Sequence, residues 1–430
     1  MNIKKLLLLG MIVFASLSLF GEDEGQVLRL NLGDKNLKDK TMTISADKIF
    51  STQKGKPVSF PEMIREMEKS RFVYVGETHN SLPIHDIQLK VIRALHTIDK
   101  NLSVGLEMFP VSSQEVLNKW SLAILTPEEF IQESRWYVHW NLNFKFYENI
   151  FLFTKENKIP LYALNAPRPL IHKIRMKGWV TLSDEEKTGI PEPDLTHPEH
   201  RKLIRAIFES TPIPHRMKGK GLEMAFEGLY RAQSAWDEVM AFNAVSILQR
   251  EDTRLVILAG SGHLLYNLGI NRRAFERTPL PFTTLVCVEI PEEEEGVMVS
   301  RSLADFIWGL PEEERPAFPS IGLSLKKIEG LENLVIESEP TDGVAKASGF
   351  KKGDVILSVD GQQYSDINLL RIYLSRFGWN DEVSFRLLRE AQALDVSMIF
   401  HPPQKEGVSE EKKWNNIFGK SHWSGRPVIR

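Results

Sequence analysis

Phe72–Ser81 reads FVYVGETHNS, and Leu255–Gly269 reads LVILAGSGHLLYNLG. Each begins as an apolar, largely β-branched run, the composition of a strand buried on both faces, and each ends in Gly-x-x-His. A glycine there permits a tight turn and lets another group approach the backbone closely. A third strand, LSVGLEM, runs from Leu102 to Met108 through Glu107, and a fourth lies in KIPLYALNAPRP, where Pro167 and Pro169 stop it. Helical patterns separate them. Ile84, Ile87, Val91, Leu95 and Ile98 keep helical spacing, and a long helix is expected from about Gly221 to Gln249, with Leu222, Phe226, Leu229, Trp236, Val239 and Met240 as its apolar set. FTTLVCVEI adds a further strand. Strands alternating with helices predict an α/β fold: a mixed sheet covered by helices on both faces.

The chain has 430 residues, enough for two or three domains, and is 42% hydrophobic and 26% charged, as globular proteins are. A net charge of -3 leaves no basic stripe to neutralise phosphates, so nucleic acid is not an expected partner. Lys4 and Lys5 precede an apolar run from Leu6 to Phe20, the layout of a secretory signal over residues 1–21. Export follows, to a periplasmic or secreted location with peripheral association to the envelope, and no other stretch is apolar enough to span a membrane. The single cysteine, Cys287, lies within a strand. It gives no disulfide framework, no cysteine for a lipid anchor and no Cys-x-x-Cys-His for covalent haem. Acidic, proline-flanked runs at Pro291 and Pro311 mark exposed turns. The expected organisation is a polar lead-in over 22–60, an α/β domain over 61–305, a linker over 306–317, a second domain over 318–400 and a polar tail over 401–430.

In an open α/β sheet, ligands gather at the carboxyl ends of the strands. Glu77, His79, Glu107 and His263 all fall there, and two histidines with two carboxylates suit a divalent metal or general acid/base work. A helix starting just after each turn would disfavour an imidazolium, which predicts neutral rings. His197, His200 and His215 fall in a proline-rich connection and read as a solvated loop.

VYVGETHNSLPIHDIQL, VGLEMFP, YALNAPR, RAQSAWDEVMA and LAGSGHLLYNLGINRR, in that order, resemble the ChaN-like haem-binding proteins of the superfamily that also holds Tiki/TraB-type proteases and erythromycin esterases. The resemblance covers roughly Pro61 to Ile290. It implies haem as ligand, in iron uptake or handling. Glu77, His79, Glu107 and His263 match the shared polar centre, Asn165 and Arg168 the strand-end turn, and Gln233, Asp237 and Met240 the long helix. Family haem binding implies a tyrosine as iron ligand; Tyr266 and Tyr230 are the preferred candidates, with Tyr137 and Tyr162 behind them, and His79 and His263 as further iron contacts. Arg168, Arg231, Arg272 and Arg273 are candidates for the propionates, and Trp136, Trp140, Phe144 and Phe146 for an apolar slot. In the superfamily's proteases the paired Gly-x-x-His and the glutamate hold a metal, which gives the alternative: a metal-dependent hydrolase with Glu77, His79, Glu107 and His263 as catalytic and metal-binding residues. A homodimer is compatible with either reading, and an α/β domain without chemistry is the third.

From SIGLSLKKI to SFRLLREAQALDVSMIF, roughly Phe318 to Phe400, the chain resembles a PDZ domain, small and β-rich with helices. That family adds an extended C-terminal peptide to a sheet edge and holds its carboxylate on loop amides. Ile321, Gly322 and Leu323 match that loop, and Asn368 to Ser375 reads as the helix beside the groove.

Overall fold

The computed structural model describes residues 24–211, 219–341 and 343–402. The expected signal and most of the expected tail lie outside them. The chain forms two compact units, one built from residues up to Thr126 and from Phe146–Glu312, the other from Pro127–Lys145 and from Glu313 onward.

The first unit holds β1 (Thr41–Ile44), β2 (Ile49–Ser51), β3 (Lys56–Val58), β4 (Phe72–Glu77), β5 (Leu102–Pro110), β6 (Leu161–Asn165), β7 (Arg254–Gly260), β8 (Phe282–Ile290), β9 (Val297–Ser300) and β10 (Phe306–Pro311). Eight of these make one sheet in the order β3-β2-β10-β8-β4-β7-β5-β6. From β10 to β6 every pairing is parallel; β2 and β3 continue it antiparallel, so the sheet is mixed. The FVYVGE run sits at the centre, and every residue of β4 is buried, as a strand covered on both faces requires. On one face Phe72, Tyr74, Leu255 and Ile257 pack with Met240, Ala241 and Ala244 of the long helix Lys220–Arg250 and with Ile270 and Ala274 of the helix Ile270–Arg277. Because β7 lies between β4 and β5, the carboxyl ends of the strands bearing Glu77, Gly260 and Glu107 are neighbours.

Two expected boundaries move. The lead-in is part of the domain: β1 pairs with β9, β2 and β3 extend the sheet, and Val27, Leu28 and Leu32 enter the core beside Tyr266. Phe306–Pro311, read as the start of a linker, is β10, whose apolar side chains pair along β8. No helix among the described residues is long and apolar enough to cross a membrane.

In the second unit β11 (Leu325–Lys327), β12 (Leu334–Ile336), β13 (Val355–Val359), β14 (Glu382–Arg389) and β15 (Gln392–Ile399) form an antiparallel sheet in that order. Leu334, Ile336, Ile356, Phe385 and Met398 fill its core with Leu370 and Leu374 of the helix Ile367–Leu374. The proposed aromatic slot does not form as expected. Trp136 and Phe144 are buried and meet edge to face at 5.2 Å, so they are the packed interior of Pro127–Lys145.

Candidate functional site: a buried carboxylate and imidazole network

The two glycine turns converge. The parallel pairing sets Gly76 opposite Ala259 and Glu77 opposite Gly260, and a Cβ built on Gly260 would stand 2.9 Å from His79 Cε1 and 3.5 Å from Glu107 Oε2. Gly260 is therefore required by close approach, which is the physical content of the glycine in that motif.

Around it the polar side chains pair. His79 Nδ1 lies 2.7 Å from Glu77 Oε1, the Tyr147 hydroxyl donates to the same oxygen at 2.5 Å, and the Gln88 amide donates to Oε2 at 2.7 Å. Both ring nitrogens of His85 face acceptors, Gln88 Oε1 at 2.9 Å and the His79 carbonyl at 3.1 Å. Glu107 accepts the Gly260 amide at 2.6 Å and stands 3.3 Å from His263 Nε2. His263 Nδ1 lies 2.5 Å from Asp237 Oδ1, and His200 Nε2 lies 3.1 Å from Asp237 Oδ2. Arg273 lies 3.7 Å from Asp237 and 3.1 Å from Glu238. All of these side chains are buried.

Burial opposes charge throughout this centre, yet pairing wins. For His263 burial would lower the pKa, but Glu107 and Asp237 push it up to about 10. His79 is likewise raised against burial, by its hydrogen bond to Glu77 and the charges of Glu107 and Glu77. Glu77 is held at about 2: burial alone would raise it, and the His79 hydrogen bond, the charges of His85 and His79 and the Tyr147 hydroxyl bring it down. Asp237 is held below the carboxylate range by His263, His200 and Arg273 despite its burial. His200 goes the other way, down to about 4, because burial and the nearby arginines outweigh Asp237. Both turn histidines are thus shifted towards the charged form, against the expectation of neutral rings. A carboxylate at hydrogen-bond distance outweighs the diffuse partial charge of a helix end.

The four expected centre residues come together. His200, expected in a solvated loop, is instead fully buried in the helix Pro198–Ser210 and joins Asp237. Tyr147 and Gln88 are the residues sequence reasoning missed. Of the other candidates, Arg273 and Arg168 interact with the centre and Tyr230 packs on His200, ring centroids 5.5 Å apart, whereas Tyr266, Arg231 and Arg272 are engaged elsewhere. Tyr266 is buried with the lead-in, where its hydroxyl donates to the Val27 carbonyl at 2.6 Å and accepts the Leu30 amide at 2.9 Å. Tyr230 stacks on Phe226, and its hydroxyl has a 3.5 Å contact to the Leu195 carbonyl. Arg231 donates to the Arg175 carbonyl; Arg272 pairs with Glu276 and Asp194. Arg273, offered for propionates, is buried on Glu238. Arg168 is half-buried; burial lowers its pKa to about 10 against the charge of Glu107.

The centre as it stands does not offer the expected divalent metal site. Among the described residues no group of three or more His, Cys, Asp or Glu side chains is disposed to hold a metal ion, because both Nδ1 atoms and the carboxylates are spent on one another. What the arrangement does offer is proton storage: imidazoles oriented by acids, enclosed from water, with Tyr147 at one end and Asp237 at the other.

Residues 63–274 match the family described as haem-binding uptake, Tiki superfamily, ChaN, and residues 319–399 match the PDZ domain. The chain therefore joins a ChaN-like domain of the Tiki superfamily to a PDZ domain. Among solved structures, one described as cofacial haem binding to ChaN of Campylobacter jejuni is 20% identical, with a TM-score of 0.49, covering 61% of this chain and 98% of that one. An HtrA-type protease, AlgWS227A, with a decapeptide is 21% identical over 28% of this chain and 42% of that one, with a TM-score of 0.19. A curated relative, Protein RETICULATA-RELATED 5, chloroplastic, of Arabidopsis thaliana, is 27% identical over 126 residues, 27% of this chain and 17% of that protein.

Proposed function

We propose that this chain is an exported haem-binding protein of iron or haem handling whose PDZ domain recruits a partner through that partner's C-terminus. The observation that carries the haem reading is the family match over residues 63–274. In the His–Glu centre the side chains are buried and paired with one another, so the iron ligand is sought elsewhere in the domain. Both favoured phenols are buried; Tyr230 is preferred because its hydroxyl faces the Ser234 side chain and has a long 3.5 Å contact to the Leu195 carbonyl, whereas that of Tyr266 is committed to two backbone groups. Burial raises the Tyr230 phenol, so iron itself would have to draw off its proton; Arg201, 5.0 Å from the ring, and Arg273 oppose that rise, and exposed Met224 and Leu195 supply apolar surface on neighbouring segments. A bound haem would supply iron for ligation; the chain's own part is to offer the phenol and the cations. For the PDZ domain, support comes from β11 at the sheet edge and from the Ile321–Leu323 loop, whose Gly322 takes a positive φ of 74°.

The test is titration of the full chain with haemin. A saturable Soret shift with a defined stoichiometry is expected. Absence of any shift, or a tight stoichiometric divalent metal in its place, would overturn the haem reading.

A further inference from the structure

Pro127–Lys145 lies within the sequence of the ChaN-like domain, yet it packs as part of the second unit. There its helices Pro127–Glu133 and Trp136–His139 lie against the helix Ile367–Leu374. The contacts are specific. Arg371 donates to the Tyr137 carbonyl at 3.2 Å, Asn143 to the Ser375 carbonyl at 3.2 Å and Lys145 to the Arg376 carbonyl at 2.7 Å.

The helix so gripped borders the groove. Ile367, Arg371 and Leu374 are spaced i, i+4, i+7 and form one ridge; Ile367 and Leu374 share a core with Ile321, Leu323 and Leu325, the loop and edge strand that would face a peptide in the PDZ reading. Arg371, in the middle of that ridge, is the residue that holds Tyr137. Two residues after Lys145 comes Tyr147, whose hydroxyl donates to Glu77.

We propose that Pro127–Lys145 is a strap through which occupation of the PDZ groove is felt at the buried His–Glu centre. This rests on the peptide-binding reading of the PDZ domain given above. A peptide strand laid between β11 and the helix Ile367–Leu374 competes for the ridge around Arg371 and frees the Tyr137 carbonyl. The strap loosens, and Tyr147, covalently next to it, loses its fixed donation to Glu77. The coupling is reciprocal: whatever orders the Tyr147–Glu77 pair tightens the strap and weakens peptide binding.

Hydrogen exchange read by mass spectrometry on the full chain tests this, alone and with a pool of decapeptides ending in an apolar residue with a free carboxylate, the amidated pool being the control. The free-carboxylate pool is expected to protect β11 and to speed exchange across residues 127–147 by roughly tenfold. Protection of β11 with unchanged exchange across 127–147 overturns the strap and leaves the PDZ reading intact. If neither pool protects β11, the PDZ reading fails, and the strap is judged by the double variant Asn143→Ala, Lys145→Ala. Both positions are half-buried, so folding survives. Faster exchange at Tyr147 and across residues 77–81 in that variant supports the strap, and unchanged exchange there overturns it.

Discussion

Asp237→Asn removes one charge from the centre with almost no change in volume. Asp237 faces His263 at 2.5 Å, His200 at 3.1 Å and Arg273 at 3.7 Å, and all four are buried. Asparagine leaves His263 and Arg273 short of a counter-charge where water does not reach, the situation of a broken buried pair, which costs about 3–5 kcal/mol. Glu238, 3.1 Å from Arg273, retains part of the pairing, so the lower end applies. In a unit of this size that lowers Tm by roughly 6–12 °C near pH 6. The pH dependence has a definite sign. His263 titrates in the folded chain at about 10, above its ordinary 6.5, so its contribution is complete below about pH 6.5 and is lost as pH rises towards 10. Asp237 is depressed below 3.8, so its contribution is present above about pH 4 and is lost as pH falls further. Calorimetry of the full chain from pH 4 to 10 should show the ChaN-like unit most stable near pH 6.5: below it His200, held down to about 4 in the folded chain, opposes folding as the unfolded imidazole takes up a proton, and above it the His263 contribution fades. In Asp237→Asn the maximum drops and the alkaline decline flattens, because one of the two carboxylates holding the proton on His263 is gone. A variant within about 2 °C of wild type at pH 6, with the same alkaline slope, would refute the reasoning.

Three further outcomes follow from named contacts. Gly260→Ala places a methyl 2.9 Å from His79 Cε1 and should cost about 1–3 kcal/mol while moving the His79 ring resonances; unchanged resonances would show that the turns do not meet. Tyr266→Phe removes the hydroxyl from Val27 and Leu30 and should cost about 1–3 kcal/mol, read by denaturant unfolding, with haemin affinity preserved. Tyr147→Phe deprives Glu77 of a donor, so the Glu77 pKa should rise from about 2, visible in a carboxyl NMR titration; an unmoved titration would contradict the 2.5 Å contact.

The centre was legible in the sequence where residue type and strand end coincide. FVYVGE, LVILAG and LSVGLEM each announce a buried strand, and their ends carry Glu77, His263 and Glu107, so their convergence needed only that β7 lie between β4 and β5. Tyr147 left no such trace: it reaches Glu77 across 70 residues from a short helical turn whose aromatics read as the lining of an apolar slot. His200 was obscured by its prolines, since Pro198 begins a helix rather than a loop. The short β2, β3 and β10 are made strands by their neighbours in the sheet rather than by local pattern. The charge state of the histidines depends on distances of a few ångströms, which spacing along a chain does not carry.

The most direct test of the haem account is haemin titration of Tyr230→Phe beside Tyr266→Phe, followed in the Soret region and in the phenolate-to-iron charge-transfer band. The account predicts that Tyr230→Phe loses that band and at least about tenfold in affinity, while Tyr266→Phe keeps both. Loss of the band in Tyr266→Phe alone, or its persistence in both variants, would contradict it.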